Sequence, residues 1–371
     1  AAAAEARADW RGWLDDVEVW GGTVEQQTIF ATALYHVLQM PTLFSDADGR
    51  YRGFDGEIRQ SDRPFYTDFS LWDTYRTVHP LYTLLWPDLH SDLLWSLSRM
   101  AQEGGGLARW PLANSDSGVM LGTSLNIVFS EAWRKGVDGF EEDELFSIAA
   151  EAMTGERALA FGAPPELAWL ENPGYYPADH VGRSVSWTLE QAIADHALGM
   201  MAEERGDGSA RLLLERAESW QALFNPATGF IHGRNADGTF TPMESEGAWT
   251  DDFAEGNARQ YLWLAPQNPD ALFSLLGGEE AALERLDEMF EMMLAEDGDN
   301  PGFPENWYWH GNEPGLHVPY LFALAGDPEK TRQWVGWLME NRYGTGSDGL
   351  AGNDDGGTLS AWYVFSAMGF Y

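Results

Sequence analysis

The sequence predicts an all-α fold in which paired helices close into a ring, an α/α toroid. Three observations predict it. Apolar residues recur at helical spacing in one segment after another between Thr23 and Met368. No run of alternating apolar and polar residues is long enough to build a sheet. The intervening segments are rich in Gly, Pro, Asp, Asn and Trp, the composition of long loops that would carry function at one end of the ring. No linker and no exact internal repeat divides the chain, so it reads as one domain over residues 1–371, with residues 1–22 as a linker-like lead-in.

Taken in order, the first helix runs from Thr23 to Met40, with Ile29, Phe30, Leu34, Val37 and Leu38 on its apolar stripe and Pro41 as its stop. Asp46 to Gly56 reads as a loop with short strand character. Asp88 to Gln102 is a strongly apolar helix ended by Gly104-Gly105-Gly106. Gly118 to Arg134, Asp143 to Ala152, Ser186 to Glu204 and Ala210 to Leu223 follow as helices. Asn257 to Trp263, Glu279 to Leu294, Pro314 to Ala325, Pro328 to Glu340 and Leu359 to Met368 complete the series.

Composition narrows the function. The 371 residues carry 59 Asp and Glu against 22 Lys and Arg, a formal net charge of −37, and the only lysines are Lys135 and Lys330. Such a surface repels nucleic-acid phosphates and anionic membranes and suits a neutral or cationic substrate, a divalent metal, or a salt-rich setting. With no cysteine, disulfides and thiolate metal sites are excluded. No apolar run approaches the ~20 residues of a membrane span. Ala1 to Ala4 lack the charged and apolar regions of a signal peptide.

Five stretches carry chemistry. In Gly352-Asn353-Asp354-Asp355-Gly356-Gly357, two adjacent carboxylates sit on a tight turn before an apolar run. Like charges so placed suit a metal or a proton in transit; helix capping by Asp is the plain alternative. Trp72, Asp73 and Arg76 lie at i, i+1 and i+4, so they are not all expected on one buried face. Trp beside Asp offers a sugar a flat apolar face and a hydroxyl partner; an internal Asp73–Arg76 pair is the alternative. Asp179, in Tyr175-Tyr176-Pro177-Ala178-Asp179-His180, is a loop carboxylate, whereas Asp195 and His196 read as helix polarity. Glu255 stands at a loop–helix junction beside Gly256 among aromatics, which would raise a carboxyl pKa as a general acid requires; capping is the alternative. Trp307-Tyr308-Trp309-His310-Gly311-Asn312-Glu313 joins a possible sugar platform to Asn312 and Glu313, hard oxygen donors suited to Ca²⁺. Two acids from separate loops match glycosidic hydrolysis, and inverting geometry would place them ~6.5–9.5 Å apart.

Together these segments resemble the glycoside hydrolase family 92 α-mannosidases. FSLWDTYRTVHPLYTL, RWPLANSDSGVMLG, GYYPADH with SVSWTLE, EGNARQYLWLAPQ, HGNEP and DGLAGNDDGGTLSAWYVFSAMGFY occur in the family's order across nearly the whole chain. The resemblance implies an (α/α)₆ barrel, a six-hairpin toroid with its site at the loop end. It implies an exo-acting, Ca²⁺-dependent, inverting α-mannosidase that acts on mannose-containing glycans. Glu255 would be the general acid and Asp355 the general base, with Asp354 assisting. Asn312 and Glu313 would neighbour the calcium. Trp72, Asp73 and Arg76 would hold the terminal mannose, with Asp179, Trp309 and His310 as further substrate contacts. A secreted or periplasmic location and an N-terminal β-sandwich partner domain are also implied.

The chain departs from the family pattern in three places. Arg259 stands where Trp is usual, Gly315-Leu316 where Ser-His is usual, and Gly356-Gly357-Thr358 where Cys-Gly-Gln is usual. The proposed acid and base survive all three, and the leaving-group side is the part affected. Two competing readings stand beside the mannosidase: another (α/α)₆ glycosidase acting on α-glucosides, and a glycan-binding barrel without turnover.

Overall fold

The computed structural model describes residues 2–296 and 306–371. Among them, an inner set of helices is surrounded by an outer set. The difference is visible in burial. Thr358–Met368 is buried on every side from Thr358 to Ser366, whereas Val24–Val37 buries only the stripe Ile29, Phe30, Ala33, Leu34 and Val37. The inner positions are Val78–Leu85, Ser124–Arg134, Ser184–Arg205, Ala258–Tyr261, Val318–Leu324 and Thr358–Met368. Val78–Leu85 touches both Ser124–Arg134 and Thr358–Met368, and Ser124–Arg134 lies along Ser184–Arg205. Elsewhere the inner circle is joined by side-chain hydrogen bonds. Ser186 Oγ accepts from the Ala254 amide at 2.8 Å, and Trp362 Nε1 donates to the Leu316 carbonyl at 2.8 Å.

Outer helices include Pro87–Gly104, Glu142–Met153, Glu279–Glu296 and Pro328–Asn341. The ring closes where Val24–Val37, from early in the chain, packs along Thr358–Met368. At this seam Gly357 adopts φ 96°, and a Cβ there would lie 2.8 Å from Val37 Cα. One large apolar cluster fills the space between the two layers. This is the all-α barrel that the sequence predicts.

Strands among the described residues are four two-stranded pieces of two or three residues each. One, Arg50–Arg52 against Ile58–Gln60, accounts for the strand character of Asp46 to Gly56. Several helices are shorter than their periodicity predicts. Gly118 to Arg134 becomes helical only from Ser124, because Gly118, Met120 and Gly122 all take positive φ. Ala210 to Leu223 is split into Ala210–Arg216 and a 3₁₀ turn, Ser219–Leu223. Pro269–Leu276 is an additional helix. The lead-in is not linker-like throughout: Ala2–Leu14 is a largely exposed helix, resting on Val24–Val37 through Trp10 against Tyr35 at 4.5 Å.

Candidate active site

The candidate residues share one topological position. Asp73 precedes Val78–Leu85, Arg183 precedes Ser184–Arg205, and Glu255 precedes Ala258–Tyr261. Glu313 precedes Val318–Leu324, and Asp355 precedes Thr358–Met368. Inner helices therefore present their N-terminal ends, where carboxylates are favoured, toward a common end of the barrel. Asp73, Glu313 and Asp355 meet there, with one carboxylate oxygen from each lying within 4.8 Å of the others. Asp73 and Glu313 are 2% and 1% exposed.

Burial of like charges dominates the electrostatics. Burial pushes the Asp73 carboxyl well above the usual range, and the charge of Asp355 adds to it; a hydrogen bond from Ser70 and the charge of Arg76 oppose the rise. Glu313 is raised by burial, then by Asp73 and Asp355. Asp355 is raised by burial and by Asp354, and held down by a hydrogen bond from Glu313. Glu313 Oε1 is buried with no hydrogen-bond partner. Glu255 stands at the rim, open to solvent on one side. The protein mass beneath it raises its carboxyl, Asp355 raises it further, and Arg183 pulls it down. The charge of Asp355 thus reaches Glu255 although 100 residues separate them in the chain.

Backbone conformation marks the same residues. Glu255 and Asp355 both adopt left-handed φ, 52° and 46°, as does Arg183 at 55°. Such conformations cost side-chain-bearing residues about 1–2 kcal/mol each and persist where surrounding contacts impose them. For Glu255 those contacts are explicit. Ser186 and Tyr261 fix the Ala254 amide and carbonyl, and Asn312 Nδ2 donates to the Glu255 carbonyl at 2.7 Å. The Asp355 turn is fixed by its neighbour. Asp354 accepts from the Ser360 amide at 2.9 Å and the Ser360 hydroxyl at 2.8 Å, and lies 3.3 Å from His36 Nδ1. The HGNEP and GNDD loops touch backbone to backbone, since a Cβ on Gly352 would fall 2.4 Å from the Gly311 carbonyl oxygen.

Placement corrects several sequence-based expectations. Trp72, Asp73 and Arg76 are all buried, because the short helix Leu71–Thr74 is enclosed on every side and has no solvent face. Trp72 does not offer a free ring face: Leu121 and Ala254 pack on it, and the Arg76 guanidinium lies 5.0 Å from its centroid. Its indole N–H is buried without a partner. Arg76 pairs with Glu190 at 2.5 Å, not with Asp73. Asn312 braces Glu255 through its Nδ2, and the carboxylates brought beside Glu313 are Asp73 and Asp355. His310 is fully buried between the Tyr308 and Tyr343 hydroxyls, at 2.8 and 2.9 Å, and burial pushes its pKa down to about 3, so it is a neutral core residue. Asp179 is exposed and accepts from the Ala236 amide at 2.9 Å; it is not in the carboxylate group. Trp309 is half-buried and tilts against the exposed Trp249 at 6.4 Å. Arg259 fills its unusual position by lying over Trp307, 3.7 Å from the ring centroid, and pairing with Glu246 at 2.9 Å. Arg183 and Glu190 escape sequence reasoning: one is an ordinary residue before a helix, the other reads as part of a capping pattern.

Comparison with known proteins agrees with this architecture. Residues 1–371 match the family described as the glycosyl hydrolase family 92 catalytic domain. The family GH92 α-mannosidase BT3965 from Bacteroides thetaiotaomicron is 32% identical, with a TM-score of 0.88, over 99% of this chain and 48% of its own. The family GH92 inverting mannosidase BT2199 from the same organism is 30% identical, with a TM-score of 0.90, over 99% of this chain and 52% of its own. An uncharacterized secreted glycosidase from Arthroderma benhamiae is 23% identical over 99% of this chain and 46% of its own length. The chain thus spans about half the length of these relatives.

Proposed function

The chain belongs to glycosyl hydrolase family 92, and from that premise we propose that it is an exo-acting α-mannosidase that removes terminal α-linked mannose from glycans with inversion. One observation carries the proposal: Glu255 and Asp355, from distant loops, are electrostatically linked beside a buried group of further carboxylates.

In this reading Glu255 is the general acid. Its raised carboxyl retains a proton to higher pH, and its exposed position suits a group that must protonate a departing oxygen. Asp355 is the general base, because the environment that raises its proton affinity also makes it a stronger acceptor. Asp355 removes one proton from a water molecule, whose oxygen forms a bond to the anomeric carbon opposite the glycosidic oxygen. The glycosidic bond breaks as Glu255 gives its proton to the departing oxygen. Asp354 assists by holding the turn through Ser360 and His36.

The residues fit a hard divalent cation, which we read as Ca²⁺. The donors are all oxygen, they converge, and Glu313 Oε1 has no other partner. Asp73 and Glu313 would hold it, leaving Asp355 at its edge to take the proton of water. Bound there, the ion would neutralise clustered negative charge and engage vicinal hydroxyls of the sugar. The reading also includes a secreted or periplasmic setting and an N-terminal β-sandwich partner that completes the leaving-group side. It is supported by the secreted relative and by relatives about twice this length. None of the described helices is long and apolar enough to cross a membrane.

An NMR time course on α-1,2-, α-1,3- and α-1,6-mannobiose, with and without Ca²⁺, tests the proposal. β-Mannose is the expected first product. α-Mannose first would overturn inversion, and mannose binding without turnover at saturating Ca²⁺ would favour a glycan-binding barrel.

A further inference from the structure

Beneath the carboxylate group lies a charged unit that the chemistry above does not use. Arg76 Nη2 donates to Glu190 Oε1 at 2.5 Å, and the Tyr75 hydroxyl donates to Glu190 Oε2 at 3.0 Å. The two charged side chains are 5% and 0% exposed. The guanidinium is sandwiched against the rings of Trp72 and Tyr75, at 5.0 and 4.4 Å, and its Nε has no partner. Glu190 comes from Ser184–Arg205, a different inner helix.

The Arg76 amide donates to the Asp73 carbonyl at 3.3 Å, and the guanidinium charge acts on both Asp73 and Glu313. A guanidinium seeks two-point contact with a carboxylate, and a buried one without a partner is costly. Left unpaired, Arg76 would turn toward the nearest acids and take up the oxygens that a cation needs. It does not do so here, because Glu190 and Tyr75 hold it from the other side.

We propose that Glu190 is a positioning residue for the cation site: by pairing with Arg76 it keeps the guanidinium off Asp73 and Glu313 and so preserves an oxygen-lined place for a divalent ion. This rests on the cation reading above and adds a residue with no contact to the ion. Glu190 acts through Arg76, so its effect disappears when Arg76 is absent. That dependence separates it from a merely structural role.

The test is direct Ca²⁺ binding by isothermal titration calorimetry on the full chain, with folding checked by circular dichroism. Glu190→Gln keeps the shape and removes the charge. It is expected to weaken Ca²⁺ binding by about tenfold or more, the scale of one uncompensated charge in a partly buried site. The double variant Arg76→Met with Glu190→Gln removes the unpaired guanidinium as well. It is expected to recover most of the wild-type affinity. Unchanged affinity in Glu190→Gln overturns the proposal. If that single variant does not fold, the double variant decides: wild-type-like affinity supports the proposal and weak binding overturns it. A wild-type chain that takes up no Ca²⁺ would sink the cation reading and this inference with it. Wild-type uptake with an indifferent Glu190→Gln would sink this inference alone.

Discussion

Replacing Gly357 by alanine should separate the ring seam from ordinary helix capping. Gly357 immediately precedes Thr358–Met368 with φ 96°. A left-handed conformation costs a non-glycine residue about 1–2 kcal/mol. The new Cβ would also lie 2.8 Å from Val37 Cα and 3.4 Å from the His36 carbonyl oxygen. Both are backbone atoms of the facing helix, so no side chain can swing aside. Overpacking of this kind adds about 1–3 kcal/mol, for an expected total of about 2–5 kcal/mol. Gly369→Ala is the matched control, at φ 87° at the other end of the same helix, where an added methyl would meet nothing within 4 Å. It should cost only the conformational part, about 1–2 kcal/mol. The assay is urea unfolding of both variants, with mannobioside turnover measured alongside. Gly357→Ala should also lose activity, because a displaced helix start carries the Asp354-Asp355 turn with it. Equal destabilisation of the two variants, or a Gly357→Ala loss under about 1 kcal/mol, would refute the tight seam.

Glu255→Gln should abolish mannobioside turnover while mannose binding, measured by calorimetry, stays near wild type; retained turnover would remove Glu255 from the acid role. Asp73, Glu255, Glu313 and Asp355 all have carboxyls raised in the folded state, so the folded chain binds more protons than the unfolded one above the ordinary carboxylate range. Stability without a cation is therefore greatest at low pH within the folded range and falls as pH rises from the unfolded pKa through the raised folded values. Melting in EDTA between about pH 5 and 8 should show this fall, and Ca²⁺ should flatten it. With a net charge of −37, the melting temperature at pH 7 should rise as NaCl goes from about 0.05 to 1 M, since screening shortens the reach of self-repulsion. A flat salt response would mean that the acidic surface carries little internal repulsion.

Most helices were legible because each buries a stripe or a whole circumference, and periodicity records both. What the pattern missed had local causes. Ser124–Arg134 starts late because glycine and Met120 hold the preceding loop in positive φ. Glu255 and Asp355 were legible as acids at loop–helix junctions beside glycine. Asp354 and Asp355 were not separable, because adjacent identical side chains point different ways and only the contacts to Ser360 and His36 assign one to the frame. The role of Asp73 was obscured by its neighbour: Trp beside Asp suggests a sugar platform, yet enclosure leaves the carboxylate facing Glu313 and the ring facing Arg76. Glu190 stands in the SVSWTLE segment, but nothing local marked it for pairing with Arg76, which lies 114 residues away.

The seam between Val24–Val37 and Thr358–Met368 has a consequence for biosynthesis. The Asp355 turn leans on His36 and Val37, and its contacts span 324 residues, from His36 to Ser360. A ribosome exposes Asp73, Glu255 and Glu313 well before the segment that seats Asp355, the proposed base. The nascent chain would therefore carry most of the acidic cluster without a finished reaction centre. On the proposed reading, the centre is complete only once the last inner helix docks on Val24–Val37, so translation products that stop before Thr358–Met368 should show no turnover.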